Sequence, residues 1–150
     1  MKHLKTFIHP EVTSKEISGN VLKQLSTRAI VLNGDQILLL YTKRYEDYSL
    51  PGGKLDPNED IIVGLKRELN EETGATNIHD IKEFGLLDEY RPSYKKEYDA
   101  IHLISYCYSC KIGSKLGDTS FESYEINNGM EVQWMGINEA IKYNKNTLKN

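Results

Sequence analysis

The stretch "LPGGKLDPNEDIIVGLKRELNEETGA", Leu50 to Ala75, constrains this chain more than any other part of it. Two glycines follow a proline, and an acid-rich segment follows them. From Asp60 to about Thr73 the apolar residues Ile61, Leu65 and Leu69, with Ile62 alongside, recur at i, i+4 spacing, which predicts an amphipathic helix. Asp60 is the expected N-cap and Gly74 the expected C-terminal stop, with no capping box because Val63 stands where Glu would close one. The polar face is the unusual part. Glu68 and Glu72 are four apart with Glu71 beside them, and like charges at that spacing cost a helix about 0.2–0.5 kcal/mol per pair. A divalent cation would offset the repulsion. Gly64 inside the helix costs about 1 kcal/mol relative to alanine, which a close approach by another segment would explain.

The residue types suit one chemistry. Carboxylates in the number offered by Glu68, Glu71 and Glu72 match Mg²⁺ or Mn²⁺, hard cations that keep waters and take substrate phosphates as further ligands. Arg67 and Glu71 are four apart and can pair, holding the glutamate row in place. Gly52 and Gly53 let the backbone approach a metal or a phosphate, and Lys54 puts positive charge next to them. Together they fit metal-assisted hydrolysis at phosphorus. A merely solvated charged helix face would leave the glycines unexplained.

Elsewhere, "TRAIVLNGDQILLLYTK" reads as two apolar strands joined at Asn33-Gly34. Further strands are expected around 81–90, 99–109 and 130–137, the last leading into a helix, "NEAIKYNKN", capped by Asn138. Between the last two strands a polar stretch, "KIGSKLGDTSFESYEINNG", reads as a loop. Residues 1–26 are weakly patterned and are expected to be an N-terminal extension packed on a domain spanning 27–150. The order of strands and helices predicts a single mixed α/β domain.

Bulk properties bound the rest. With 150 residues, 39% hydrophobic, the chain is long enough for one core. A net charge of −3 argues against a dedicated nucleic-acid surface. No apolar run approaches the ~18–20 residues that span a bilayer, and "MKHLKTFIHPEVTSKE" lacks the apolar core of a secretory signal. The expected location is the cytoplasm. Cys107 and Cys110 lie three apart on a strand, so their thiols should diverge and pack rather than share a metal or a disulfide.

The glycine–acid segment resembles the Nudix box, G-x5-E-x7-R-E-U-x-E-E-x-G-U with U aliphatic. Gly53 and Glu59 are followed, in register, by Arg67-Glu68-Leu69-Asn70-Glu71-Glu72-Thr73-Gly74-Ala75, with Ala75 a small departure at the last aliphatic position. At ordinary residue usage a chance match is on the order of 10⁻⁸ or less at one start. "YSLPGGKL" before the box, and the tryptophan strand "EVQWMGINEAI" leading into the last helix, are also similar to the family; the resemblance covers residues 27–143. It implies a Nudix-type α/β/α sandwich with a mixed β-sheet and a loop–helix–loop catalytic box. The implied reaction is Mg²⁺-dependent hydrolysis of a nucleoside diphosphate linked to another moiety. By the same resemblance Glu68, Glu72 and the carbonyl of Gly52 ligate metal with Glu71 assisting, and Arg67 and Glu59 orient the glutamates. A further carboxylate before the tryptophan strand is expected to complete the site, with Glu122 the first choice and Glu125 the reserve.

The box leaves the substrate open. "DEYRPSYKKEYDA" mixes tyrosines with cations, so Tyr90, Tyr94 and Arg91 are candidates, with Lys54, for holding a base and phosphates. Short relatives of the MutT type favour a nucleoside triphosphate, an oxidised purine among them. Pro92, seventeen past Ala75, keeps an ADP-ribose or nucleotide-sugar pyrophosphatase in view, and a capped or 5′-triphosphate RNA is a further alternative. Isopentenyl-diphosphate isomerases share the scaffold but need a cysteine, for which Cys107 and Cys110 are the candidates. A non-catalytic, nucleotide-sensing domain is the remaining possibility, and a monomer or a homodimer suits all of these.

Overall fold

Side-chain alternation along two long strands sets the architecture. In the computed structural model, which describes residues 1–149, strand β2 (Val21–Asn33) runs parallel to a later strand, Ala100–Lys111, from Val21 opposite Ala100 to Val31 opposite Cys110. On one face Ala29, Val31, Tyr108 and Cys110 enter the core. On the other, Ser26, Arg28 and Leu103 line a cleft.

Along the chain come β1 (His3–Ile8), α1 (Ser14–Ile17), β2, β3 (Gln36–Thr42), β4 (Asp47–Ser49), β5 (Gly52–Lys54), α2 (Ile61–Thr73), β6 (His79–Pro92), β7 (Ala100–Lys111), α3 (Ser123–Asn128), β8 (Met130–Gly136) and α4 (Ile137–Lys149). The sheet order is β1-β6-β7-β2-β3-β4, with β5 added on β2 and β8 on β3. Parallel pairs β1–β6 and β2–β7 stand among antiparallel ones, so the sheet is mixed. Helix α2 packs on β2 and β5 while α4 packs on β4 and β8, giving the α/β/α layering. Beneath α2, Leu65 and Leu69 meet Ala29, Val31, Leu38 and Tyr108, with Trp134 of β8 at the margin. Burying one such leucine fully is worth about 1.5–3 kcal/mol.

Several elements depart from the expectations of the sequence. The β2–β3 turn is displaced by one residue. Asn33 pairs with Gln36, so Gly34 and Asp35 form the turn, and only Gly34 (φ 63°) needs the left-handed region. Residues 3–8 form β1, which runs parallel to β6, and β2 begins at Val21 rather than Thr27. β1 is clasped from below. Asp88 of β6 accepts hydrogen bonds from Thr6 Oγ1 (2.6 Å) and pairs with His3 Nε2 (2.9 Å) and His102 Nε2 (2.7 Å). The polar stretch 111–129 carries α3, a short helix the sequence does not announce. Helix α4 begins at Ile137, so Asn138 lies within its first turn rather than at its cap.

The cysteines diverge as strand parity requires. Cys110 joins the core beneath α2, whereas Cys107 stands opposite Arg28 in register; both are free and buried.

Candidate active site

The site is assembled where β5, α2 and α3 meet. Asp60 caps α2 by accepting from the N–H groups of Ile62 and Val63, both at 3.1 Å, and Gly74 ends the helix in the left-handed conformation. Gly64 is explained by what closes over it, since a Cβ there would lie 2.3 Å from Leu55 Cδ2 and 3.0 Å from Glu59 Oε1. The loop before the helix thus folds down onto the helix itself.

That loop delivers Glu59 to Arg67. The guanidinium forks onto the carboxylate, Nε to Oε2 at 2.8 Å and Nη2 to Oε1 at 2.9 Å, and its Nη1 reaches Glu68 Oε1 (3.2 Å) and Glu71 Oε2 (3.3 Å). Arg67 holds the Glu59 carboxyl down to about 2, helped by the Asp56 N–H. One guanidinium thus bonds to the loop glutamate and to two glutamates of the helix.

Gly52 and Gly53 bring backbone against the glutamates. A Cβ on Gly52 (φ 141°) would fall 2.0 Å from the Thr27 carbonyl oxygen, so only glycine lets β5 lie this close to β2. The Gly52 N–H donates to Glu72 Oε1 at 2.7 Å. A Cβ on Gly53 would sit 2.9 Å from Glu68 Oε1, so that carboxylate occupies the space a side chain would take.

Glu72 is 2% exposed and Glu68 8%. Burial pushes both carboxyls above the ordinary range, and a hydrogen bond with Glu125 pushes Glu72 further. Glu125, on α3, is itself buried, and its Oε1 accepts from the Glu122 N–H at 2.9 Å. Two buried carboxylates in contact need a shared proton or a cation between them. That demand, with the glycine cradle and the all-oxygen donor set, fits Mg²⁺ or Mn²⁺. Among the described residues no three acidic, histidine or cysteine side chains form a ready-made cage. Mg²⁺ does not require such a cage, since it is commonly held by one or two carboxylates plus water and phosphate.

The glutamates open into a cleft of about 730 Å³ that includes Lys54, Arg67, Arg91, Glu122 and Glu125. Lys54 and Arg91, expected from the sequence, therefore face it, and Arg91 is paired with Glu89. Glu71, bonded to Arg67, is not among the residues that line the cleft. Two further candidates lie elsewhere. Tyr90 stacks on His102 (centroids 4.3 Å apart, planes at 4°), away from the cleft lining, and Tyr94 is 70% exposed in the turn after β6. Strand parity accounts for Tyr90, because its neighbours Glu89 and Arg91 take the cleft side.

Arg28 was missed by sequence reasoning. Its Nη1 donates to the carbonyls of Leu50 (3.0 Å) and Gly52 (3.2 Å), pinning the loop that carries both glycines. A signal for it existed in the lone cation of "STRAIVL", on the face opposite Thr27, Ala29 and Val31. Cys107 and Cys110 do not offer a nucleophile. Burial pushes both thiols up, Cys110 to about 11, which keeps them protonated.

Among the described residues no helix is long and apolar enough to cross a membrane. A family model of the NUDIX domain matches residues 22–150. An 8-oxo-(d)GTP phosphatase of Mycolicibacterium smegmatis is 44% identical over 43 residues, which is 29% of this chain and 13% of that protein. The mRNA-decapping protein OPG121 of vaccinia virus (strain Copenhagen) is 38% identical over 79 residues, 53% of this chain and 36% of that protein. The matches thus span well under half of these relatives' lengths. Among solved structures, a MutT NUDIX hydrolase from Burkholderia pseudomallei superposes with a TM-score of 0.58 at 20% identity, covering 77% of this chain and 84% of that one. A MutT protein from Bacillus halodurans gives 0.54 at 24% identity, covering 80% and 72%. Both likenesses concern the fold.

Proposed function

The chain belongs to the Nudix family, and from that premise we propose that it is a divalent-metal-dependent hydrolase of a phosphoric anhydride bond in a nucleotide. The observation that carries this reading is the pair of buried glutamates, Glu68 and Glu72, held against the Gly52–Gly53 backbone. Glu68, Glu72 and the Gly52 carbonyl would hold the ion, with Glu71 assisting. The Arg28 bond to that carbonyl leaves its second lone pair free. A bound Mg²⁺ or Mn²⁺ would neutralise polyphosphate oxygens and acidify water.

The protein's own residues supply the rest. Arg67 fixes the glutamate row, so the oxygens are in place before substrate arrives. Lys54 and Arg91 offer positive charge to phosphates along the cleft. Glu125, in contact with Glu72, is the carboxylate best placed to accept a proton from attacking water.

A nucleoside triphosphate, oxidised purines included, is the favoured substrate, supported by the similarity to the mycobacterial 8-oxo-(d)GTP phosphatase. Capped RNA is the second reading, supported by the longer match to the viral decapping protein. A panel of nucleoside triphosphates, ADP-ribose, nucleotide sugars and capped RNA, assayed with Mg²⁺ and again with EDTA, tests both. Undiminished turnover in EDTA would remove the metal from the reading. A kcat/KM for ADP-ribose or capped RNA more than tenfold above every triphosphate would reverse the choice of substrate.

A further inference from the structure

Beyond the glutamates the cleft continues into a second cavity of about 220 Å³, and the two share Arg28, Ser49, Arg91 and Leu103. The chemistry changes along this path. The first part is lined by carboxylates, glycine backbone and Lys54, whereas the second is walled mainly by Phe7, Leu50, Leu87 and Leu103, and its two acidic residues are already engaged, Asp88 by Thr6 and His102 and Glu89 by Arg91. Phe7 belongs to β1, outside the residues the family model matches. The pairing of β1 with β6 sets Phe7 opposite Glu89, on the side of the sheet that Leu87 and Arg91 share. The ring is 45% exposed, with Lys5 Nζ 5.0 Å from its centroid. On the same strand Thr6 is tied to Asp88, so β1 is anchored through one residue and offers the next to the cavity.

We propose that this cavity holds the planar heterocyclic base of the substrate nucleotide, stacked against Phe7 between Leu87 and Leu103, with its phosphates directed past Arg28 and Arg91 to Glu68 and Glu72. The proposal rests on the nucleotide-hydrolase reading of the cleft. An aromatic ring beside apolar walls suits a π-face, and the guanidinium and serine groups at the rim suit a heterocycle's polar edge. The N-terminal strand then selects the base, while the box performs the hydrolysis.

The test uses two ligands that the enzyme cannot turn over. One is a purine nucleoside monophosphate, and the other is methylenediphosphonate, a diphosphate mimic without a base. Both are titrated with Mg²⁺ present. Phe7→Ala should weaken the monophosphate about 5- to 150-fold, the range that losing one base–aromatic stack costs, and leave methylenediphosphonate unchanged. Phe7→Tyr should restore binding. Phe84→Ala, removing a somewhat more exposed ring outside the cavity, should affect neither ligand. In the unmodified protein, nuclear Overhauser contacts should join base protons to the Phe7 ring and the Leu87 and Leu103 methyls, a readout independent of any variant's folding. Absent contacts at saturation, no purine binding, or equal losses of both ligands in Phe7→Ala would overturn the proposal. Purine binding that depends on Phe7, without hydrolysis of any anhydride, would instead strike the hydrolase reading alone.

Discussion

Arg67 grips Glu59 with two parallel hydrogen bonds, at 2.8 and 2.9 Å, while its remaining nitrogen touches both Glu68 and Glu71. One guanidinium thus ties the loop before α2 to the helix and fixes the direction in which two glutamates point. Arg67 is 26% exposed and Glu59 11%, so the pair is partly shielded from the screening that weakens surface ion pairs.

Arg67→Ala should therefore lose both activity and stability. Losing the charge-assisted bonds is expected to lower Tm by roughly 5 °C or more, with kcat falling as the glutamate row loosens. Arg67→Lys should recover little, because an ammonium cannot fork onto a carboxylate. Thermal melts alongside kcat measurements decide this. A fully active Arg67→Ala protein with unchanged Tm would mean the fork orients nothing.

The same bonds give a pH signature. Arg67 holds Glu59 at about 2, below its unfolded value near 4.5, so the folded state binds fewer protons. Its contribution is present above pH 4.5 and is lost as pH falls towards 2. Asp88 acts in the same sense. Burial opposes its ionisation, but the hydrogen bonds from Thr6, His3 and His102 prevail and hold it at about 2. Melting temperature should drop on acidification through this window. Glu59→Gln and Asp88→Asn should each flatten the drop, and an unaltered slope in both would remove these groups from the acid response.

The helix and its acids were legible because their information is local: a 3.6-residue stripe, a capping aspartate, a stop glycine and a fixed spacing. What escaped depends on distant chain. Nothing within residues 3–8 says that β1 will lie parallel to β6, because that pairing joins residues more than eighty positions apart. Tyr90 and Arg91 were both plausible ligands in sequence, yet strand parity admits only Arg91 to the cleft, and parity has meaning only once the core face is known. Helix α3 is too short to show a period, and its N-cap is Glu122 rather than Ser, Thr, Asp or Asn.

Glu68→Gln and Glu72→Gln should separate chemistry from folding. Each is expected to cut kcat by about 100-fold or more, since each removes a charge from the metal-holding set. Stability should hold or rise, because burial already disfavours both charges and repulsion along the helix is relieved. Variants that unfold while keeping specific activity would make this helix face structural.

Metal binding should also be visible without turnover. Saturating Mg²⁺ or Mn²⁺ should raise the Tm of the protein stripped with EDTA, as any ligand of the folded state does. Glu72→Gln should abolish most of that rise. Equal stabilisation of the variant and the parent would place the ion elsewhere.

Two glutamates, Glu122 and Glu125, stand before the tryptophan strand. In the sequence Glu122 came first. In the fold the two are separated by what surrounds them: Glu125 is 6% exposed and helps push the Glu72 carboxyl up, while Glu122 caps α3 and gives its N–H to Glu125. A carboxylate that must take a proton from water beside the metal-holding set belongs in the first position. General-base assistance is worth about 10²–10⁴-fold, so Glu125→Gln should lower kcat at saturating Mg²⁺ by at least tenfold and alter its pH profile between 6 and 10. Glu122→Gln should cost less than about fivefold with the profile retained, because the backbone N–H that it gives to Glu125 survives the substitution. The reverse ranking would return the part to Glu122, and wild-type rates in both would leave proton removal to the glutamates of α2.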